Sequence, residues 1–325
     1  MKIGLIGCGE IARVGHGPSL VQYASEHPDV ELAACCDIRP EAAEAFQKEF
    51  GFTECASDWE EMIRRVKPDA LLLAVPVPLT AELSIRILKQ GIPLMLEKPP
   101  GLYPEDTRRM QEAAIASGTP HQVAFNRRFM PVVRRFKEAA AGEAFTTWEY
   151  SFYRVGRIDP HYETTSIHAI DTLRYLVGAD YRTVQFHYTP SGSDKDYVPA
   201  IWMEAEFLNG ARGSIHIQPA TGISLERFAA HGVNHYLYGA LPFYAANGSL
   251  DGAGEILEAR DGRIIRQERA AAAANHIMNG YYDEDASFLE DIRAGREPVN
   301  NLSTCLQSME VAACIYRRDE WYRQE

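Results

Sequence analysis

The first part of the chain alternates short apolar runs with amphipathic segments. The run Ile3 to Ile6 leads directly into glycines, and Ala70 to Val75 is apolar at every position. A strand that is apolar on both faces is typical of a parallel sheet with helices on both sides. Repeated strand-helix units of this kind predict an α/β Rossmann fold with a doubly wound parallel sheet over residues 1–125.

The pattern changes over residues 126–325. Stretches of alternating apolar and polar residues predict several strands, a helix is predicted over 167–177, and Asn209-Gly210 is a strong hairpin signal. Two further helices are predicted near the end, over about 283–294 and 303–317. Adjacent antiparallel strands with few helices predict an α+β domain with an open, mostly antiparallel sheet.

The turn after the first strand has the spacing of a dinucleotide site. Gly7 allows a tight turn, Gly9 lets backbone approach a pyrophosphate, and Ala12 lets the next helix pack closely on the strand. The second strand ends at Asp37, whose carboxylate can accept hydrogen bonds from the adenosine ribose; a solvated helix cap is the alternative. The residues predicted to bind the cofactor are Gly7, Gly9, Glu10, Ile11, Ala12, Asp37, Arg39, Pro76, Glu97, Lys98 and Asn126.

The predicted cofactor is NAD, with NADP possible. Asp37 favours NAD because a carboxylate repels a 2′-phosphate. Arg39, two residues later, keeps NADP open as the alternative.

Composition and charge narrow the class of partner. A chain of 325 residues that is 46% hydrophobic can bury a core in each of two domains. The net charge of -12 argues against nucleic acid or a membrane surface as partner. No apolar run is long enough to span a membrane, and a strand at residue 3 predicts no leader, so a cytoplasmic location is expected. The six cysteines have neither metal-ligand nor redox-pair spacing, and no metal is predicted.

Glu97-Lys98-Pro99-Pro100 directly follows a predicted strand. Ligands of an open parallel sheet lie beyond the carboxyl ends of its strands, so Lys98 is expected beside the cofactor. A lysine there can hydrogen-bond a reacting hydroxyl and stabilise the negative oxygen that forms as hydride leaves. A surface lysine beside a glutamate is the alternative.

The chain resembles the family of glucose-fructose oxidoreductase, inositol dehydrogenase and rhizopine-catabolism proteins (Gfo/Idh/MocA). The resemblance is carried by the glycine turn, Glu97-Lys98-Pro99, the segment from Phe125 to Phe129, and His168-x-x-Asp171. It covers nearly the whole chain. It implies a nicotinamide-binding domain followed by a domain for substrate binding and oligomerisation. The implied activity is hydride transfer between NAD(P) and a sugar, sugar-acid or cyclitol hydroxyl carbon.

The resemblance also implies catalytic roles. Lys98 would be the catalytic lysine and His168 the general acid/base, a role that suits an imidazole because it titrates near neutrality. A histidine that only pairs locally at a helix start is the alternative. Asp171, one helical turn later, could orient the ring of His168 or pair locally.

Some residues depart from the family's pattern. The family typically has an aspartate at the position of Thr164, which supplies no carboxylate, and Val77 and Thr80 stand near positions where asparagine and histidine are common. These departures favour a rebuilt pocket or a changed chemistry. Two other functions therefore stay open: an NAD-retaining epimerase, lyase or glycosidase-type enzyme, and a catalytically silent NAD(P)-binding sensor.

The predicted partner is a small polyhydroxylated substrate. Its candidate binding residues are Arg127, Arg154, Arg157 and Tyr162. Arginine can hold a carboxylate or phosphate with two parallel bonds. For Arg154 and Arg157, a solvated loop is the alternative.

A homodimer or homotetramer through the second-domain sheet is also predicted. Along Ile201 to Leu208 both alternating sets contain large apolar residues, including Trp202. Such a surface is commonly buried against another subunit.

Overall fold

The computed structural model describes residues 1–190, 198–244, 250–251, 254–270 and 273–324. The chain forms two compact units. Unit 1 comprises Met1–Phe129 and Ala274–Leu306, and unit 2 comprises Met130–Ala273 and Gln307–Glu325. Within the described ranges, no helix combines the length and apolar character that crossing a membrane requires.

Unit 1 is built on a parallel sheet of six strands. The strands are Lys2–Ile6 (β1), Glu31–Cys36 (β2), Glu54–Ala56 (β3), Ala70–Leu73 (β4), Leu94–Glu97 (β5) and His121–Ala124 (β6). Their order is β3-β2-β1-β4-β5-β6. The chain therefore winds outward from β1 in both directions, which confirms the predicted doubly wound fold.

Helices connect these strands where the caps and breakers of the sequence predict them. They are a π-helical turn over Ala12–His16, Gly17–Glu26 (α1), Pro40–Phe50 (α2), Trp59–Val66 (α3), Val77–Leu88 (α4), Pro104–Ser117 (α5) and a 3₁₀ turn over Asn126–Phe129. Asp58 caps α3 by accepting hydrogen bonds from the N–H groups of Glu60 and Glu61 at 2.8 and 3.1 Å. Gly51 ends α2 in the left-handed conformation that glycine adopts easily.

The described residues of unit 2 form a mixed sheet of nine strands. Its helices and strands are Pro131–Ala140 (α6), Thr147–Tyr153 (β7), Glu163–Val177 (α7), Tyr181–Thr189 (β8), Ala200–Phe207 (β9), Arg212–Gln218 (β10), Leu225–Gly232 (β11), His235–Ala240 (β12), Phe243–Tyr244 (β13), Leu250–Asp251 (β14), Glu255–Arg260 (β15), Arg263–Arg269 (β16) and Trp321–Arg323 (β17). The order is β16-β15-β12-β11-β7-β10-β9-β8-β17, and β13 pairs with β14 separately.

Most strand pairs of unit 2 are antiparallel, as predicted. The pair β7 and β10 is parallel. The predicted hairpin at Asn209-Gly210 joins β9 to β10, and Gly210 has φ +85°. On one face of the sheet Tyr150 and Phe152 are buried, and α7 packs there against β7 and β10. The opposite face carries Trp202, which is 43% exposed.

Part of the C-terminal segment lies in a different unit from the one that the sequence predicts. Its helices are Asn275–Met278 (α8), Tyr281–Arg293 (α9) and Leu302–Arg317 (α10). The sequence assigned residues 274–306 to the second domain, but they form part of unit 1. Phe288 and Leu289 of α9 are fully buried in the core that also contains Leu5 of β1. Periodicity shows that a helix is buried on one face, but it does not show which sheet covers that face.

Candidate active site

The predicted cofactor residues lie along one edge of the unit 1 sheet. The carboxyl ends of parallel strands share one edge, where open α/β sheets bind ligands. Gly7 follows β1, Asp37 follows β2, Pro76 lies beyond β4, Lys98 follows β5 and Asn126 lies beyond β6. Five neighbouring strands thus bring these residues to the same edge.

The two glycines of the turn differ in what surrounds them. Gly7 has φ +96°, and an added Cβ would lie 2.2 Å from the carbonyl oxygen of Ala74. An added Cβ at Gly9 would meet no protein atom within 4 Å. Gly7 is therefore required by the packing of the protein itself, whereas the open side of Gly9 suits backbone that a phosphate can approach.

Replacing these glycines should separate folding from cofactor binding. Gly7→Ala is expected to lower the free energy of unfolding by about 2 kcal/mol or more, because an L-residue at positive φ is strained and its methyl would meet backbone. Gly9→Ala should leave that free energy unchanged and weaken NADH binding about tenfold. Denaturant unfolding and a fluorescence titration with NADH measure the two effects. Equal unfolding free energies for Gly7→Ala and the unsubstituted protein would contradict the assignment.

The rest of the glycine turn opens the first helix. Ala12 is fully buried, as its predicted packing role requires, while Glu10 and Ile11 are exposed at the helix start. The backbone from Ala12 to His16 is π-helical before α1 continues from Gly17. A π-helical turn widens the helix by one residue and often occurs at functional sites.

Asp37 is bonded to the glycine turn. Its Oδ2 accepts a hydrogen bond from the Cys8 N–H at 3.0 Å, and its Oδ1 accepts from the backbone N–H of Arg39 at 3.0 Å. Burial acts to raise the pKa of Asp37, but the hydrogen bonds from Arg39 and Cys8 outweigh it and lower the pKa. The carboxylate is largely buried rather than a solvated cap, and Arg39 is exposed beside it.

Glu97 and Lys98 are adjacent to a buried histidine that the sequence analysis did not select. The Nε2 atom of His16 lies 3.0 Å from Oε1 of Glu97, and its Nδ1 lies 2.9 Å from Oδ1 of Asp285. The other oxygen of Glu97, Oε2, accepts a hydrogen bond from the Lys98 N–H at 3.0 Å. The partners of His16 are 81 and 269 residues away in sequence, so no local pattern could have revealed this group.

Asn126 and the arginines after it are held by the last part of the chain. The side-chain amide of Asn126 donates to the carbonyl of Asn279 at 2.9 Å. Arg127 donates to Oδ1 of Asn126 at 3.2 Å, and Arg128 donates to Oδ1 of Asn300 at 2.7 Å. Residues of 274–306 thus fix the end of the β6 strand.

In unit 2, α7 carries the predicted catalytic histidine. The helix begins at Glu163 rather than at residue 167, so His168 lies in its second turn and not at its start. His168 and Asp171 are both buried, and Oδ1 of Asp171 accepts a hydrogen bond from the Ser308 hydroxyl at 3.0 Å. The hydroxyl of Thr164 donates to the carbonyl of His161 at 2.7 Å and so closes the first turn.

The predicted substrate residues of unit 2 have acidic neighbours. Arg154 is only 15% exposed and donates to Oε1 of Glu226 at 2.5 Å, so it is not in a solvated loop. Arg157 donates to Oδ2 of Asp159 at 2.8 Å. The Tyr162 hydroxyl is buried and has no hydrogen-bond partner among the described residues. The pairing of the arginines competes with the anion binding predicted for them.

Residues 1–125 match the family model described as the oxidoreductase family with an NAD-binding Rossmann fold, GFO_IDH_MocA. Residues 1–125 are thus similar to the NAD-binding domain of the Gfo/Idh/MocA family. The match confirms the predicted resemblance to this family and an NAD-binding Rossmann fold over residues 1–125.

Individual curated proteins match part of the chain at 29% and 30% identity. The chain is 29% identical over 160 residues to D-glucoside 3-dehydrogenase of Escherichia coli, a match that covers 48% of this chain and 44% of the relative. It is 30% identical over 190 residues to inositol 2-dehydrogenase of Paracoccus denitrificans, which covers 56% of this chain and 55% of the relative. The chain thus spans about half the length of these curated relatives.

A solved structure extends the likeness to the whole fold. A dehydrogenase from Chromobacterium violaceum superposes with a TM-score of 0.85 at 19% identity, which covers 98% of this chain and 95% of that one. At this identity the likeness concerns the fold alone.

Proposed function

We propose that the chain is a nicotinamide-dependent oxidoreductase that transfers hydride between NAD and the hydroxyl-bearing carbon of a sugar, sugar acid or cyclitol. The observation that carries the proposal is the hydrogen bond from the Cys8 N–H to Asp37, which joins the glycine turn to the acid at the end of β2. Lys98 lies at the same edge, at the end of β5. The glucoside and inositol relatives support the class of substrate.

The residues at this edge suit a dinucleotide. The turn from Gly7 to Ala12 would hold the pyrophosphate, because Gly9 is open to its approach and a helix begins there. The ionised carboxylate of Asp37 would accept hydrogen bonds from the ribose hydroxyls. When bound, NAD accepts the hydride.

Lys98 and His168 would then play different roles at the substrate hydroxyl. The Lys98 ammonium donates a hydrogen bond to the hydroxyl oxygen and stabilises the negative charge that grows as the carbon loses hydride. His168 takes the hydroxyl proton during oxidation and returns it during reduction. Buried Asp171 would orient the ring of His168 from one helical turn away.

Cofactor reduction tests the proposed activity. The purified protein is mixed with NAD or NADP and a panel of sugars, sugar acids and cyclitols, and nicotinamide absorbance and fluorescence are followed. Reduced cofactor that appears with one class of compound supports the oxidoreductase and identifies its substrate class. Cofactor that binds but is never reduced overturns net oxidation as the function.

A second function is favoured by Thr164. Its hydroxyl is bonded to the carbonyl of His161 and supplies no carboxylate. An enzyme that retains NAD and oxidises its substrate transiently would perform epimerisation, elimination or glycoside cleavage without net redox change. Cofactor that co-purifies and stays oxidised during turnover would support it. Binding without turnover of any compound would support a sensor instead.

The exposed face of the unit 2 sheet supports a homodimer or homotetramer. Trp202 of β9 and Trp321 of β17 are 43% and 45% exposed, although both are large apolar side chains. Such residues on a sheet face commonly pack against a second copy. Light scattering at micromolar concentration is expected to show an oligomer, and Trp202→Glu is expected to weaken it. A monomer in the unsubstituted protein would contradict this proposal.

A further inference from the structure

We propose that His16 and Asp285 are positioning residues that act through Glu97 to hold the backbone of Lys98. The inference rests on the proposed function only in giving Lys98 a catalytic role. The contacts themselves all lie within unit 1. They run from Asp285 to His16, from His16 to Glu97, and from Glu97 to the Lys98 N–H, at 2.9, 3.0 and 3.0 Å.

The number of protons on Asp285, His16 and Glu97 decides whether both contacts of the His16 ring are hydrogen bonds. A neutral imidazole has one N–H, yet both ring nitrogens of His16 face carboxyl oxygens. Burial acts to lower the pKa of His16, but the carboxylates of Asp285 and Glu97 raise it well above its usual range. Burial also raises the pKa of Asp285. Asp285, His16 and Glu97 together therefore retain one proton more than a neutral imidazole between two carboxylates would hold, and both contacts of His16 are hydrogen bonds. Removal of either donor would leave a buried carboxylate without its partner, which is costly.

Packing around His16 holds the ring in place. The ring of Tyr281 meets the ring of His16 edge to face, with centroids 5.5 Å apart. An added Cβ at Gly15 would lie 2.8 Å from the Tyr281 ring, so this glycine lets α9 approach the π-helical turn. The other titratable groups beside the cluster are the carboxyl group of Glu284 on α9 and the guanidinium of Arg128. The last part of the chain thus supplies both the acid and the packing that orient His16.

Glu97 connects His16 to the backbone of Lys98. One of its oxygens is held by His16, and the other accepts from the Lys98 N–H. A carboxylate fixed at both oxygens can neither rotate nor turn toward solvent. The peptide that precedes the Lys98 side chain is therefore held at the carboxyl end of β5. Catalysis is sensitive to small misplacements of a reacting group, so this hold is expected to matter for turnover.

Hydrogen exchange at the Lys98 amide tests the inference in the protein without substrate. Pro99 and Pro100 have no N–H, so Lys98 is the last exchanging amide of a peptide that ends at Pro100. The matched variants are His16→Asn, whose amide can replace Nδ1, and His16→Gln, whose amide can replace Nε2. We expect the Lys98 amide to exchange about tenfold faster in His16→Asn, which loses the donor to Glu97. His16→Gln should stay close to the unsubstituted protein.

Asp285→Asn and Glu284→Gln complete the set. Asp285→Asn removes the acid that holds Nδ1 of His16, so it should also speed exchange at Lys98, even if His16→Asn fails to fold. Glu284→Gln makes the same acid-to-amide change at the neighbouring residue. Burial raises the pKa of Glu284 well above its usual range, and its carboxyl oxygens have no hydrogen-bond partner among the described residues. This control should leave the Lys98 amide unchanged.

Turnover gives a second readout. His16→Asn is expected to lower kcat about tenfold with little change in KM for NAD, and His16→Gln should retain most of kcat. Equal exchange at Lys98 in all four variants would overturn the inference, as would equal kcat in His16→Asn and His16→Gln. Failure of the proposed function is distinguishable, because inactivity of the unsubstituted protein leaves the exchange result intact.

Discussion

Lys98→Ala is expected to lower kcat by about 10²- to 10³-fold on the substrate that the cofactor-reduction assay identifies. The ammonium group supplies a hydrogen bond and a positive charge where the negative oxygen develops, and removal of one such donor typically costs this much. Cofactor binding should be mostly retained, because the glycine turn and Asp37 are untouched. Steady-state kinetics and an NADH fluorescence titration measure the two quantities.

An exposed lysine provides the control for this substitution. Lys89, at the end of α4, lies in the same unit and is exposed. Lys89→Ala should leave kcat and NADH affinity unchanged. If Lys98→Ala turned over as fast as the unsubstituted protein, Lys98 would be only a surface residue and the proposed chemistry would fail.

His168→Gln should lower kcat by about 10²- to 10⁴-fold, the range typical of a lost general acid/base. Glutamine fills a similar volume at this buried position and can hydrogen-bond, but it cannot exchange a proton at neutral pH. A loss of turnover without a loss of stability would therefore report on proton transfer. Thermal melting of both proteins, together with steady-state kinetics, separates the two effects.

His187→Ala is the matched control, because His187 is an exposed histidine on β8 of the same unit. It should keep the full kcat. A His168→Gln enzyme with nearly full activity would show that His168 only pairs locally on α7. In that case another group would have to accept the hydroxyl proton.

The position of the proposed cofactor residues at one edge of the sheet was largely predictable from local sequence. Gly7, Asp37 and Lys98 each follow an apolar run, and the ends of parallel strands meet at one edge whatever the details of packing. The sequence did not show which physical constraint requires a glycine at position 7 or at position 9. Only the structure shows that Gly7 avoids the Ala74 carbonyl, whereas Gly9 is open on its outer side.

Long-range partners escaped the sequence analysis. Glu226 pairs with Arg154, and Ser308 donates to Asp171, but each partner is far away in the chain. The sequence analysis treated the guanidinium of Arg154 as available to bind an anion, whereas in the fold it pairs with Glu226. The start of α7 was also placed one turn late. The stretch before His168 contains Thr164 and Thr165, which disfavour helix on propensity alone, while burial of Glu163 and Ser166 stabilises the extra turn.

The sequence by itself determined the two-sheet architecture, the glycine turn after β1 and the resemblance to a family, because these depend on periodicity and on short motifs with a fixed local geometry. Tertiary structure alone decided that α9 packs with unit 1 and that Asp285 meets His16. Periodicity predicts that one face of a helix is buried, and a buried charged residue requires a partner of opposite charge or a hydrogen bond. The sequence does not identify the distant segment that covers the face or supplies the partner, because packing of the whole chain decides it.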